Sequence, residues 1–139
     1  MHFMEPPESR DLHRVSTKAA LYSPDYSHVM VTRVLPDTEY EWYGLPGGHV
    51  DEGEIPDDTI IRELDEELGI TVSGLTRADF FVHLNGKIVL AYVGTLPLAT
   101  EMHPSDPARE IGVWLSKEEF EKISTEPSYK KFVLENWHE

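Results

Sequence analysis

Apolar positions alternate in some stretches of this chain and recur at helical spacing in others, and the switches between the two mark its elements. Val15 to Tyr22 and Ser27 to Val34 read as two strands joined by the turn formers Ser23-Pro24-Asp25, hence a hairpin. Aromatic Tyr40, Trp42 and Tyr43 lead into Gly44-Leu45-Pro46-Gly47-Gly48, a loop too rich in glycine and proline for a helix or a central strand. Ile55-Pro56-Asp57-Asp58 then opens a helix, with proline in the first turn and acids at the positive end of the dipole, and Gly69 closes it. Arg77 to Leu84 and Lys87 to Leu96 flank Asn85-Gly86, the strongest short hairpin signal. Leu98 to Arg109 reads as a proline-bearing loop and Ile111 to Leu115 as a short strand. Ser116-Lys117-Glu118-Glu119 forms a capping box for a helix through about Ile123, and Pro127 to Trp137 forms a terminal helix.

Length and composition narrow this picture. At 139 residues, 40% of them apolar, the chain suits a single domain with a real core. With no cysteine, it has neither a disulfide scaffold nor a thiolate nucleophile nor sulfur ligands for zinc or iron–sulfur clusters. The longest apolar run, Ile88 to Val93, is far short of the roughly 20 residues of a membrane span. Residues 1–14 are polar, bear prolines and carry no secretory signal, so the expectation is an N-terminal arm, a domain over 15–139 and a cytoplasmic location. The arm is a candidate element of a homodimer interface, and no membrane partner is expected.

Charge changes the picture more. The net charge is −14, from 26 Asp and Glu against 12 Lys and Arg, which argues against a nucleic-acid partner. Between Gly48 and Ile70 stand nine acids (Asp51, Glu52, Glu54, Asp57, Asp58, Glu63, Asp65, Glu66 and Glu67) and one base, Arg62, so this short segment alone carries −8. On the helix from Pro56 to Leu68, Ile60, Ile61, Leu64 and Leu68 share the side expected to pack on a sheet. Glu63, Glu66 and Glu67 share the adjoining side. Like charges at these spacings repel by roughly 0.2–0.5 kcal/mol per pair. Glu66 and Glu67 also sit near the negative end of the dipole, at a cost of about 0.3–1 kcal/mol each. A divalent cation reverses the sign of both effects, and hard carboxylate oxygens suit Mg²⁺ or Mn²⁺. A solvated acidic face is the ordinary alternative for such a run.

The wider spacing decides between them. From Gly48 the chain reads glycine, five residues, Glu54, seven residues, then Arg62-Glu63-Leu64-Asp65-Glu66-Glu67-Leu68-Gly69-Ile70. Every specified position of G-x5-E-x7-R-E-U-x-E-E-x-G-U, with U aliphatic, is matched, a coincidence on the order of 10⁻⁷ for this composition. The chain therefore resembles the Nudix (MutT-type) hydrolases, with the box at 48–70, and Trp42 to Val50 is similar to the segment that enters the box in that family. The resemblance implies an α/β fold, an α/β/α sandwich with a mixed sheet between helices. It also implies Mg²⁺-dependent hydrolysis of a nucleoside diphosphate linked to another moiety, X, by attack of water on phosphorus. By position, Glu63, Glu66, Glu67 and the carbonyl of Gly47 match metal ligands, and Glu54 and Arg62 match the pair that orients the glutamates. A general base is expected among Glu66, Glu67 and an acid from a later loop. Of the two acids in that later region, Glu101 and Glu110, Glu110 is preferred because it precedes Val113-Trp114-Leu115, which resembles the family's last strand.

Other residues carry weaker expectations. His49, His83 and His103 are candidate site residues, although an unplaced histidine is more often a surface group. Trp42, Tyr43, Phe80 and Phe81 are candidates for stacking on a base, with core packing the favoured reading. The loop lacks the lysine and hydroxyl of a P-loop, and Asp51 to Glu54 lacks EF-hand spacing. Gly47 stands where the dinucleoside polyphosphate hydrolases of the family often have lysine, and Asn85-Gly86 where its ADP-ribose subgroup has proline, so a nucleoside triphosphate or modified nucleotide is preferred as substrate. The alternative is a Nudix-fold sensor that binds a nucleotide or metabolite without turnover.

Overall fold

The computed structural model describes residues 15–34 and 42–139; the expected arm over residues 1–14, and Tyr40, lie outside the described residues. Within them one mixed sheet comprises β1 (Val15–Tyr22), β2 (His28–Val34), β3 (Trp42–Gly44), β4 (Thr76–Val82), β5 (Ile88–Thr95) and β6 (Glu110–Ser116). Its order is β3-β2-β1-β5-β4, with β6 also paired to β2. Three helices accompany it: α1 (Pro56–Leu68), α2 (Lys117–Lys122) and α3 (Pro127–Glu135). The two hairpins expected from turn chemistry are present, and the Trp42-Tyr43-Gly44 approach to the glycine loop is itself a three-residue strand. No helix among the described residues is long and apolar enough to cross a membrane.

The first hairpin is open, and that opening builds the site. β1 and β2 pair only at Leu21↔Met30 and Tyr22↔Val29. Beyond them β2 pairs instead with β3, Thr32↔Gly44 to Val34↔Trp42, while on their other edges β2 pairs with β6 and β1 in parallel with β5 from Val15↔Ile88 to Tyr22↔Thr95. The edge of β1 thus vacated is taken by the glycine loop: Thr17 N donates to Gly48 O at 2.7 Å, Ala19 N to Pro46 O at 2.9 Å, and Val50 N to Val15 O at 3.0 Å.

β1 is covered on both faces, as the alternation of a central strand requires. Ala19 and Leu21 join Ile60, Leu64 and Leu68 of α1, while Ala20 and Tyr22 join Phe120 of α2 and Phe132 and Val133 of α3. The layers are α/β/α. Each fully buried leucine contributes roughly 1.5–3 kcal/mol, so Leu64 and Leu68 hold α1 on the sheet against its own charge repulsion. Gly69 ends α1 at φ 65°, donating to Asp65 O, and His103 N caps Leu68 O at 2.7 Å. At the other end of α1, Asp57 accepts from Tyr92 Oη and Arg77 Nη2, tying the first turn to β5 and β4.

Three side chains depart from expectation. Ile61 is 47% exposed, because the packed ridge of α1 runs through Ile60, Leu64 and Leu68 and leaves Ile61 at the rim opposite the carboxylates. Trp42 and Phe80 are 52% and 70% exposed, against the core packing their apolarity favours; β3 and β4 are the outermost strands of the sheet order, and these rings face outward there. Phe81, turned the other way, packs on Tyr129 and Phe132 of α3, and Tyr43 packs partly buried against the same cluster.

Candidate active site

The Gly44–Gly48 loop crosses above the last turns of α1. Gly47 adopts φ 141°, and a Cβ there would run into the backbone of Thr17, so only glycine permits the loop to lie flat on β1. Gly48 is equally constrained, since a Cβ would strike the carboxyl carbon of Glu63. The carbonyls of Pro46 and Gly48 point into β1, and the intervening Gly47 presents its backbone to α1, with its N–H donating to Glu67.

Arg62 organises the outer part of the site. Its Nε donates to Glu54 Oε2 at 2.7 Å and its Nη2 to Glu54 Oε1 at 3.0 Å, a two-pronged clamp. Its Nη1 donates to Glu63 Oε1 at 3.1 Å and to Glu66 Oε2 at 3.0 Å, and Nη2 reaches His49 O at 3.3 Å and Asp51 Oδ2 at 3.2 Å. Thr59 Oγ1 adds a third donor to Glu54 at 2.7 Å. With those partners, the guanidinium first among them, the Glu54 carboxyl is held down to about 2. Burial raises Glu63 above the usual carboxylate range, against the pull of Arg62.

The inner part is built differently. Glu67 is half-buried, and its Oε1 is buried without a hydrogen-bond partner among the described residues. Burial first, and then the neighbouring charge of Glu110, push its carboxyl up to about 8, while Lys18 and the Gly47 N–H oppose the shift. A buried carboxylate oxygen left unpartnered is costly and calls for an explanation such as an absent ion.

Glu63, Glu66, Glu67 and Glu110 line one cavity of about 430 Å³, together with Val34, Ser105, Asp106 and Arg109. Glu110, at the first position of β6, is brought there by the β2–β6 pairing Val34↔Glu110. Glu101 lies elsewhere on the surface, 3.5 Å from His103. His103 backs the end of α1, whereas His49 and His83 line a second cavity. Among the described residues no three carboxylate or imidazole groups are already drawn together at metal-holding distance, because Arg62 engages Glu63 and Glu66. The donor set nevertheless suits a hard divalent cation: all oxygen, convergent on one cavity, with a spare buried oxygen on Glu67.

Sequence reasoning passed over Lys18, whose charge is felt by Glu67. The signal was the period-two pattern of β1, which places this lysine on the same face as Ala20 and Tyr22. It also passed over Arg109 and Asp106, for which a loop sequence offers no periodic cue.

Comparison with known proteins extends the geometry. The NUDIX domain family model matches residues 12–135. A MutT NUDIX hydrolase from Burkholderia pseudomallei superposes with a TM-score of 0.69 at 25% identity, covering 90% of this chain and 98% of that one. A structure from work on MutT of Aliivibrio salmonicida and Vibrio cholerae gives 0.66 at 21% identity, covering 86% and 93%. The NUDIX domain of Shewanella oneidensis NrtR, solved with ADP ribose, gives 0.73 at 14% identity, covering 94% and 90%. No curated protein sequence matches.

Proposed function

The chain belongs to the NUDIX domain family and is a Nudix pyrophosphohydrolase, and from that premise we propose that it hydrolyses a diphosphate linkage in a nucleoside diphosphate–X substrate, with Mg²⁺ or Mn²⁺ held by Glu63, Glu66, Glu67 and the carbonyl of Gly47. The observation that carries this reading is the unpartnered buried oxygen of Glu67 in a cavity shared with three other glutamates. A nucleoside triphosphate or modified nucleotide is the preferred substrate.

When bound, the divalent cation neutralises phosphate charge and acidifies the attacking water. The chain's own groups do the rest. Arg62, anchored on Glu54, takes one oxygen each of Glu63 and Glu66 and so keeps both side chains at the cavity, from which a cation would draw them together. The glycine loop presses on Glu63 and donates to Glu67, which fixes the cavity wall. With Glu63, Glu66 and Glu67 engaged as ligands, Asp106 and Glu110 are the carboxylates left on the wall, and Glu110, whose charge bears on Glu67, accepts the proton of the attacking water. Arg109 supplies a guanidinium at the same cavity, suited to a phosphate oxygen of the substrate.

The test is incubation with Mg²⁺ and a panel of nucleoside triphosphates, oxidised nucleotides, dinucleoside polyphosphates and nucleoside diphosphate sugars, followed by product analysis. Turnover of at least one member that is lost on chelation and in Glu67→Gln supports the reading. A wild-type chain that turns over none of them faster than Glu67→Gln contradicts it, and favours the sensor.

A further inference from the structure

A second cavity, of about 240 Å³, shares Gly47 and Gly48 with the carboxylate site and has the opposite chemistry. Lys18, His49, His83, Asn85, Lys87 and Tyr129 line it, and no aspartate or glutamate does among the described residues. In a chain with 26 acids against 12 lysines and arginines, two lysines converging without a carboxylate between them run against composition.

The hydrogen-bond directions are also one-sided. The backbone N–H of Asn85 donates to His83 Nδ1 at 3.0 Å, so the ring proton sits on Nε2 as a donor. Lys87 Nζ meets His49 Nε2 at 2.5 Å, which leaves further ammonium protons unspent. The Lys18 ammonium lies 6.0 Å over the ring of Tyr129, and no ion pair ties it down among the described residues. Burial disfavours the Lys18 ammonium most, the carboxylates of Glu67, Glu110 and Glu63 attract it from the neighbouring cavity, and Lys87 repels it. An anion reverses the repulsion, as a cation does among the glutamates.

We propose that this second cavity seats a terminal phosphate of the substrate, one carried beyond the hydrolysed linkage, with Lys18, Lys87 and His83 as its donors. The size agrees: pockets that enclose a whole drug-sized ligand run to roughly 300–1,000 Å³, so this one takes an end group rather than a nucleoside. The inference rests on the diphosphate-hydrolase reading for which molecule brings the phosphate, but not for the binding of phosphate itself. It favours an X that ends in phosphate over one that does not.

Two experiments keep these apart. Inorganic phosphate is titrated into the chelated full chain by calorimetry, with Lys18→Met, Lys87→Met and, as a surface control, Lys122→Met. Loss of a charged donor weakens such a contact about tenfold or more, so the first two variants lose phosphate affinity and the control keeps it. Equal affinity in all four proteins overturns the proposal, as does no binding to wild type. Separately, KM is compared for a nucleoside triphosphate and a nucleoside diphosphate hexose. Lys18→Met and Lys87→Met raise KM about tenfold for the triphosphate only, and an equal rise for both substrates contradicts the seat. If wild type hydrolyses neither compound, the general reading fails while the phosphate titration still decides this one.

Discussion

Two glutamates from the same short segment, Glu54 and Glu67, are held in opposite ways. Glu54 has three side-chain hydrogen bonds, two of them from one guanidinium, and titrates near 2. Glu67 is half-buried, has a buried oxygen with no partner among the described residues, and is pushed up to about 8 by burial and the charge of Glu110. The first is satisfied by the protein itself and works as an anchor for Arg62. The second takes one backbone N–H from Gly47 and keeps a buried oxygen without a partner among the described residues, the oxygen the proposed cation would take.

The sharpest way to break the contrast is Glu67→Gln, which keeps the shape and removes the charge. Activity should fall roughly a thousandfold, because charge stabilisation by a bound metal is worth several kcal/mol, as measured by product release under saturating Mg²⁺. Glu110→Gln should cost about a hundredfold in kcat, the usual scale of a general base, whereas Glu101→Gln should leave kcat unchanged. Equal effects from Glu101 and Glu110 would place the base elsewhere. Arg62→Lys keeps a positive charge but cannot clamp Glu54 while reaching Glu63 and Glu66. A tenfold to hundredfold loss in metal affinity or kcat is expected, with little change in melting temperature.

The smallest effect separates the two carboxylates by pH in the chelated protein. Glu67 keeps its proton in the folded chain to about 8 but loses it near 4.5 when unfolded. Folding therefore takes up a proton in that window, and this group's contribution to stability is full below about 4.5 and is lost as pH rises to about 8. Glu54, depressed to about 2, contributes above 4.5 and loses that contribution as pH falls towards 2. Thermal melts should show Glu67→Gln flattening the upper limb and Glu54→Gln flattening the acid limb. A Glu67→Gln profile parallel to wild type would mean that Glu67 is not buried in its charged form.

Local rules reached most elements. Asn85-Gly86 gave its hairpin, Ser116 and Glu119 close the expected capping box, and Pro56 and Gly69 bound α1. What they did not reach is long-range: the parallel β1–β5 pairing, the β2–β6 ladder, and the β2–β3 pairing that turns β2 away from β1 and leaves the gap into which the glycine loop fits. No local pattern encodes which distant edge a strand will choose. The same limit explains the site. The helix stripe of Glu63, Glu66 and Glu67 is readable from a 3.6-residue period, but the placing of Lys18 beside Glu67 depends on the loop filling the edge of β1. Ile61, Trp42 and Phe80 show the converse, since apolarity alone does not say where the covering layer stops.

The most direct test of a metal-holding role for the inner carboxylates is Mn²⁺ binding followed by electron paramagnetic resonance, comparing wild type with Glu67→Gln without substrate. Saturable Mn²⁺ binding to wild type is expected, weakened at least tenfold by the single substitution. Equal Mn²⁺ affinity in both proteins would contradict it.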